Sequence, residues 1–138
     1  MTSQGASGPL DARSEINASR ACLLLGNVRN QPLNDHAEGL SQIENGDKAA
    51  FKYIDFKKGV KNITLRISPG SSGGRISIYL DQPWYNKLAE IKIEPATGEK
   101  QWRTLSFDVE EVSGVHALWF QFYGKGNDLF SIDWFRFE

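Results

Sequence analysis

The chain has 138 residues, among them 13 glycines, eight phenylalanines and four tryptophans, with a formal net charge of −1. That length supplies one domain with a real core and little room for a second. The near-neutral charge argues against long-range capture of nucleic acid or an anionic bilayer, and no apolar run is long enough for a membrane-spanning helix.

The opening stretch, MTSQGASGPL, is small and polar and lacks the apolar segment of a leader. Residues 1–12 are therefore expected to be a disordered linker remnant, with any secretion signal of a parent protein lying outside them, and the domain is expected over 13–138. A first strand is predicted over 14–18 and a second over 22–28. Cys22, the one cysteine, has no partner for an internal disulfide, and its neighbours Ala21 and Leu23 to Leu25 predict burial as a small hydrophobe. The polar stretch 30–45 reads as a long loop carrying Asp35, His36 and Glu38, and loops of that length are often functional. Asn45-Gly46-Asp47 is a turn signal.

Alternation resumes over 48–53, with Ala49, Phe51 and Tyr53 set against Lys48, Ala50 and Lys52. Residues 62–68 follow with Ile63, Leu65 and Ile67 on one face. Residues 75–80 turn Ile76, Ile78 and Leu80 inward and Arg75, Ser77 and Tyr79 outward. Strands over 89–93, 102–109 and 115–123 precede the closing one. There, Phe130, Ile132 and Trp134 share one face, and Leu129, Ser131, Asp133, Phe135 and Phe137 the other. Short strands divided by turns, without a helical period, predict an all-β fold, a sandwich or jelly roll of two antiparallel sheets.

The HExxH motif and the P-loop are absent from the sequence, and the stretch 71–74 reads as a turn between two strands, not as the strand-to-helix elbow of a serine hydrolase. Two histidines, His36 and His116, do not make a histidine-rich metal centre, and His116 reads as a turn or edge residue. Glycoside hydrolysis needs two carboxylates facing across a cleft, and no such pair is identifiable among the seventeen present. Glycan binding fits the composition better. Sugar rings present apolar faces edged by hydroxyls, so they need aromatic platforms with polar groups to orient them. Trp84-Tyr85, after Asp81-Gln82-Pro83, reads as a loop pair that either caps the core or forms a platform. Trp119 alternates away from Leu118, Phe120 and Phe122, which places it on a sheet surface with Gln121. Trp102 and Trp134 are candidates for packing or for stacking.

Four pieces carry a family resemblance: Ile43-Glu44-Asn45-Gly46-Asp47; Ser72-Gly73-Gly74 with Ile76 to Pro83; Val112-Ser113-Gly114-Val115-His116; and Leu129 to Phe135. In this order the chain resembles a family 6 carbohydrate-binding module from about Glu15 to Glu138. The resemblance implies a β-sandwich that binds polysaccharide such as xylan, cellulose or β-1,3-glucan. It also implies a covalently linked catalytic module and secretion from a bacterium. In the family's loop cleft two aromatics clamp a sugar that an asparagine hydrogen-bonds. The clamp positions correspond to Gln42 and, after Thr97-Gly98, to Glu99 or Lys100, with Trp102 as the next aromatic. None of the clamp positions is aromatic here. Asn127 matches the asparagine most naturally, with Ser131 as the other candidate. A second cleft in some members lies on a sheet face, where the matching positions are Lys48 and Ser77. Tyr79 or Trp119 could supply the platform there, Lys48 could donate to hydroxyls or face an acidic glycan, and Trp84 and Tyr85 could extend a relocated site. The resemblance further implies a structural calcium ion, for which the matching residues are Glu15, Asn17 and Asp133. Rival readings are a structural or protein-interaction module that has lost glycan binding, and a small hydrolase.

Overall fold

The computed structural model describes residues 9–32, 38–70, 73–82, 86–96, 102–125 and 129–138. In chain order these form β1 (Leu10–Asp11), β2 (Ile16–Asn17), a 3-10 turn (Ala18–Arg20), β3 (Leu23–Leu25), β4 (Arg29–Pro32), β5 (Glu38–Ser41), β6 (Lys48–Asp55), β7 (Val60–Pro69), β8 (Gly74–Leu80), β9 (Asn86–Ile93), β10 (Arg103–Val112), β11 (Val115–Tyr123) and β12 (Phe130–Phe137). Two six-stranded sheets result. The first runs β1-β6-β11-β8-β9, with β3 also on β6; the second runs β10-β7-β12-β5-β4, with β2 also on β12. The expected two-sheet sandwich is present, with one difference: β1 joins β6 in parallel.

The seam between the sheets is a ladder of phenylalanine rings. Phe51 lies 4.9 Å from Phe135, Phe120 5.1 Å from Phe135, Phe122 5.8 Å from Phe130, and Phe56 5.0 Å from Phe137, mostly edge to face. That geometry brings the positive edge of one ring to the negative face of the next. The three described tryptophans all lie outside this main core.

Two strands change face where the alternation of the sequence is unbroken. In β12, Ile132 opposes Ile67 and Trp134 opposes Arg66, so Asp133 is an extra residue. This bulge turns Phe130, Ile132, Phe135 and Phe137 together into the core and Trp134 outward, unlike the expected division. In β6, Lys52 and Tyr53 both stand against Ala117, so Phe51 and Ile54 point inward and Tyr53 is exposed.

Three further expectations need correction. The domain begins before residue 13: Leu10 and Asp11 pair with Ile54 and Asp55, and Ala12 is buried and accepts a bond from the Phe137 N–H. The presumed loop 30–45 contains the hairpin β4–β5, with Arg29 opposite Ser41 and Pro32 opposite Glu38, while Asp35 and His36 lie outside the described residues. Cys22 is exposed, because β3 is an edge strand that turns only Leu24 toward the core.

The Gly-Asp turn is structural. Gly46 has φ 90° and donates to the Phe122 carbonyl at 2.7 Å. The Asp47 carboxylate accepts from the Glu44 and Asn27 N–H groups, at 2.9 and 3.1 Å. Gly26, at φ 103°, leaves the space that this carboxylate fills; a side chain there would collide with it.

Candidate glycan-binding face

The outer face of the first sheet collects most of the sheet-face candidates in three cross-strand rows. Leu23, Ala50, Trp119, Tyr79 and Lys87 form one; Leu25, Lys48, Gln121, Ser77 and Glu90 the next; Tyr123, Arg75 and Lys92 the third. Period-two geometry makes this inevitable once Leu118, Phe120 and Phe122 face the core. Of the residues expected on solvent-side faces (Lys48, Lys52, Ser77, Tyr79, Trp119 and Gln121), all but Lys52 stand side by side in this register.

Their exposure is lower than a solvent-side face implies. Trp119 is 9% exposed, Tyr79 and Gln121 6%, and Ser77 2%, and Trp119 packs with Tyr79 and Ala50 as a cluster separate from the core. The long side chains of the neighbouring strands are paired with one another. Glu90 is paired with both Lys87 and Arg75, and the Arg75 guanidinium lies 4.6 Å from the centre of the Tyr123 ring. The hydrogen bond from Lys87 holds the Glu90 carboxyl below its ordinary value and the Lys87 ammonium above its own. Trp119 Nε1 and Gln121 Oε1 are buried without a hydrogen-bond partner. A buried donor and acceptor left unpaired on one strand cost stability, which native proteins tolerate chiefly where something else supplies the partner.

The other candidates are dispersed. Gln42 is exposed, at φ 57° just after β5, and the Leu129 N–H donates to the carbonyl of its neighbour Ile43. It thus lies at the end of the sandwich where the chain enters β12. Trp84, Tyr85, Glu99 and Asn127 lie outside the described residues. Trp102 is on the opposite side of the sandwich: it precedes β10, and the Arg66 guanidinium lies 5.4 Å from its ring. Trp134 has the same relation to Arg136. His116 is structural, with Nδ1 3.1 Å from Asp81 Oδ2 and Nε2 2.8 Å from the Ser113 carbonyl oxygen. Lys87, Glu90 and Tyr123 were missed in the sequence, although Tyr123 simply continues the period from Trp119 and Gln121.

The calcium candidates meet where β2 pairs β12, with Asn17 opposite Trp134. Their oxygens suit a hard cation, but each is already engaged. Glu15 Oε2 lies 3.7 Å from Arg136 Nη1, Asp133 Oδ2 3.2 Å from Arg66 Nε, and Asn17 Oδ1 accepts from the Ser19 N–H at 2.8 Å. Among the described residues no group of three or more His, Cys, Asp or Glu side chains is placed to hold a metal.

Comparison with known proteins agrees with the motifs and the architecture. The chain is 28% identical over 107 residues to an arabinoxylan arabinofuranohydrolase of Bacillus subtilis (strain 168), covering 77% of this chain and 20% of that protein. It thus spans a fifth or less of the curated relatives it matches. A module from Clostridium stercorarium in complex with cellobiose superposes with a TM-score of 0.85 at 26% identity, covering 95% of this chain and 97% of that one. A family 6 module from Clostridium cellulolyticum in complex with xylose does so with 0.84 at 26%, covering 93% and 98%. The model of the carbohydrate binding module (family 6) matches residues 26–138, and this chain belongs to that family.

Proposed function

We propose that the chain is a non-catalytic module that binds plant cell-wall β-polysaccharide through the outer face of the first sheet. One observation carries the choice of face: Trp119 Nε1 and Gln121 Oε1, buried and unpaired beside Tyr79. Sugar hydroxyls both donate and accept, so they match an orphan N–H and an orphan carbonyl oxygen together. The relatives named with cellobiose and xylose, and the arabinoxylan-degrading relative that is several times longer, support a xylan-type or cellulose-type ligand and an attached glycoside hydrolase. In that setting the module acts by local concentration: it holds the enzyme near an insoluble chain and raises its encounter frequency. Such work takes place outside a bacterial cell.

Affinity electrophoresis against xylan, β-glucan, arabinan and pectin tests the reading. Retardation by at least one glycan, lost in W119A, is expected. Retardation that survives W119A and disappears in W84A would move the site to the loop pair. The low exposure of Trp119 and Tyr79 favours one rival, an interaction module that supports its neighbouring enzyme without touching sugar; absence of retardation by every glycan would favour it. A structural calcium at Glu15, Asn17 and Asp133 is also proposed, supported by the meeting of β2 and β12.

A further inference from the structure

We propose that the loop end of this same face is a subsite for the carboxylate of a uronic acid, so that the module prefers acidic glycans; this rests on the glycan-binding reading above. The third row of the face runs into a groove of about 420 Å³ whose described lining includes Arg75, Lys92 and Lys125, with the backbone of Gly73, Gly74 and Gly124 and no acidic residue. Arg75 and Lys92 are directly opposite each other in the register of β8 and β9. Like charges in that relation destabilise a sheet, so folding alone does not account for the pair.

Arg75 is also held in a defined orientation. Its ring partner Tyr123 sits beneath the guanidinium and Glu90 Oε1 lies 3.1 Å from its Nε. A guanidinium has five donors in a planar fork, more than one carboxylate oxygen takes up. Among the described residues Lys92 has only the highly exposed Glu94 as an ion-pair partner, at 3.7 Å. Lys125 has no counter-ion among the described residues.

The groove continues the surface that carries the unpaired Trp119 and Gln121 atoms. From Trp119 through Gln121 to Tyr123 the strand advances about 13 Å, room for a short oligosaccharide lying along it. A sugar held at Trp119 and Gln121 then presents the substituents of its neighbour to Arg75, Lys92 and Lys125. A carboxylate is the group that a cation trio with a fixed guanidinium fork recognises best.

The test is isothermal titration with glucuronoxylan and with the same polymer after its uronic acids are reduced to neutral sugars, using the wild type and K92Q/K125Q. Both lysines are exposed and outside the core, so the variant folds. The native polymer is expected to bind more tightly than the reduced one, and K92Q/K125Q to lose roughly tenfold on the native polymer only, the size expected for two exposed charge pairs. Equal binding of both polymers overturns the acidic preference and leaves glycan binding standing. Binding of neither overturns both. Equal affinity for polyglutamate marks a general polyanion attraction and also overturns the subsite. R75Q gives a second reading: loss of the preference without loss of neutral binding supports the fork.

Discussion

Replacing Gln121 by methionine separates the two roles of the sheet face. Methionine keeps the length and volume of the side chain but removes the carbonyl oxygen that is buried without a partner. An unsatisfied buried acceptor costs about 1–3 kcal/mol, so Q121M should be more stable than the wild type by about 1–2 kcal/mol. For a domain of this size that is a rise of about 3–6 °C in melting temperature. If the same oxygen is a hydrogen-bond partner of sugar, the variant should also lose about fivefold in glycan affinity, the worth of one net hydrogen bond. Calorimetric melting of the free protein and titration with xylo- and cello-oligosaccharides measure the two effects. Opposite signs are the signature of a position kept for binding at the expense of stability. A variant that melts at or below the wild-type temperature, or that binds sugar as tightly, would refute the reasoning.

Three further outcomes follow from the structure. F135A, which removes the ring shared by Phe51 and Phe120, should cost about 3–5 kcal/mol in urea denaturation, whereas F135L should cost much less. E90Q should be slightly less stable than the wild type at neutral pH, by well under about 1 kcal/mol because the pair is exposed and screened. Glu90 has a depressed folded value, so its contribution is present above the ordinary carboxylate range and disappears as pH falls through the depressed value. Melting curves of E90Q and wild type should therefore converge in acid. The raised value of Lys87 gives the reverse case: its contribution is full below the ordinary lysine range and is lost at higher pH. For the proposed calcium ion, millimolar calcium should raise the melting temperature by several degrees, chelation should reverse the rise, and D133N should abolish it. An unchanged melting temperature would leave Arg66 and Arg136 as the groups that neutralise these carboxylates.

The strands that carry the core were legible because period two survives in them: Ile76, Ile78 and Leu80, or Leu118, Phe120 and Phe122, allow one orientation. The same parity placed Ser77, Tyr79, Trp119 and Gln121 together on the other side. What parity could not reveal was a change of phase. Asp133 and the Lys52–Tyr53 pair are bulges, set by pairing with distant strands rather than by local composition, so Tyr53 and Trp134 were assigned to the wrong neighbours. The hairpin β4–β5 was hidden because its strands are short and polar, with only Gly39, Leu40 and Ser41 buried in the second. Cys22 misled for the opposite reason: apolar neighbours describe a core strand, yet a run of three leucines at a sheet edge can leave two of them in water. The low exposure of Trp119 was likewise invisible, since it packs with Tyr79 and Ala50, from strands that meet it only in the fold.

The solvent-facing thiol of Cys22 has a practical side. Its backbone N–H bonds to the Ala50 carbonyl, and Ala50 stands directly across from Trp119. Two strand spacings, about 10 Å, separate this sulfur's strand from the indole. As the one thiol in the sequence, it accepts a single fluorophore without mutagenesis. A dye there lies within energy-transfer range of Trp119, so the polypeptide can be labelled without alteration to follow binding near that strand.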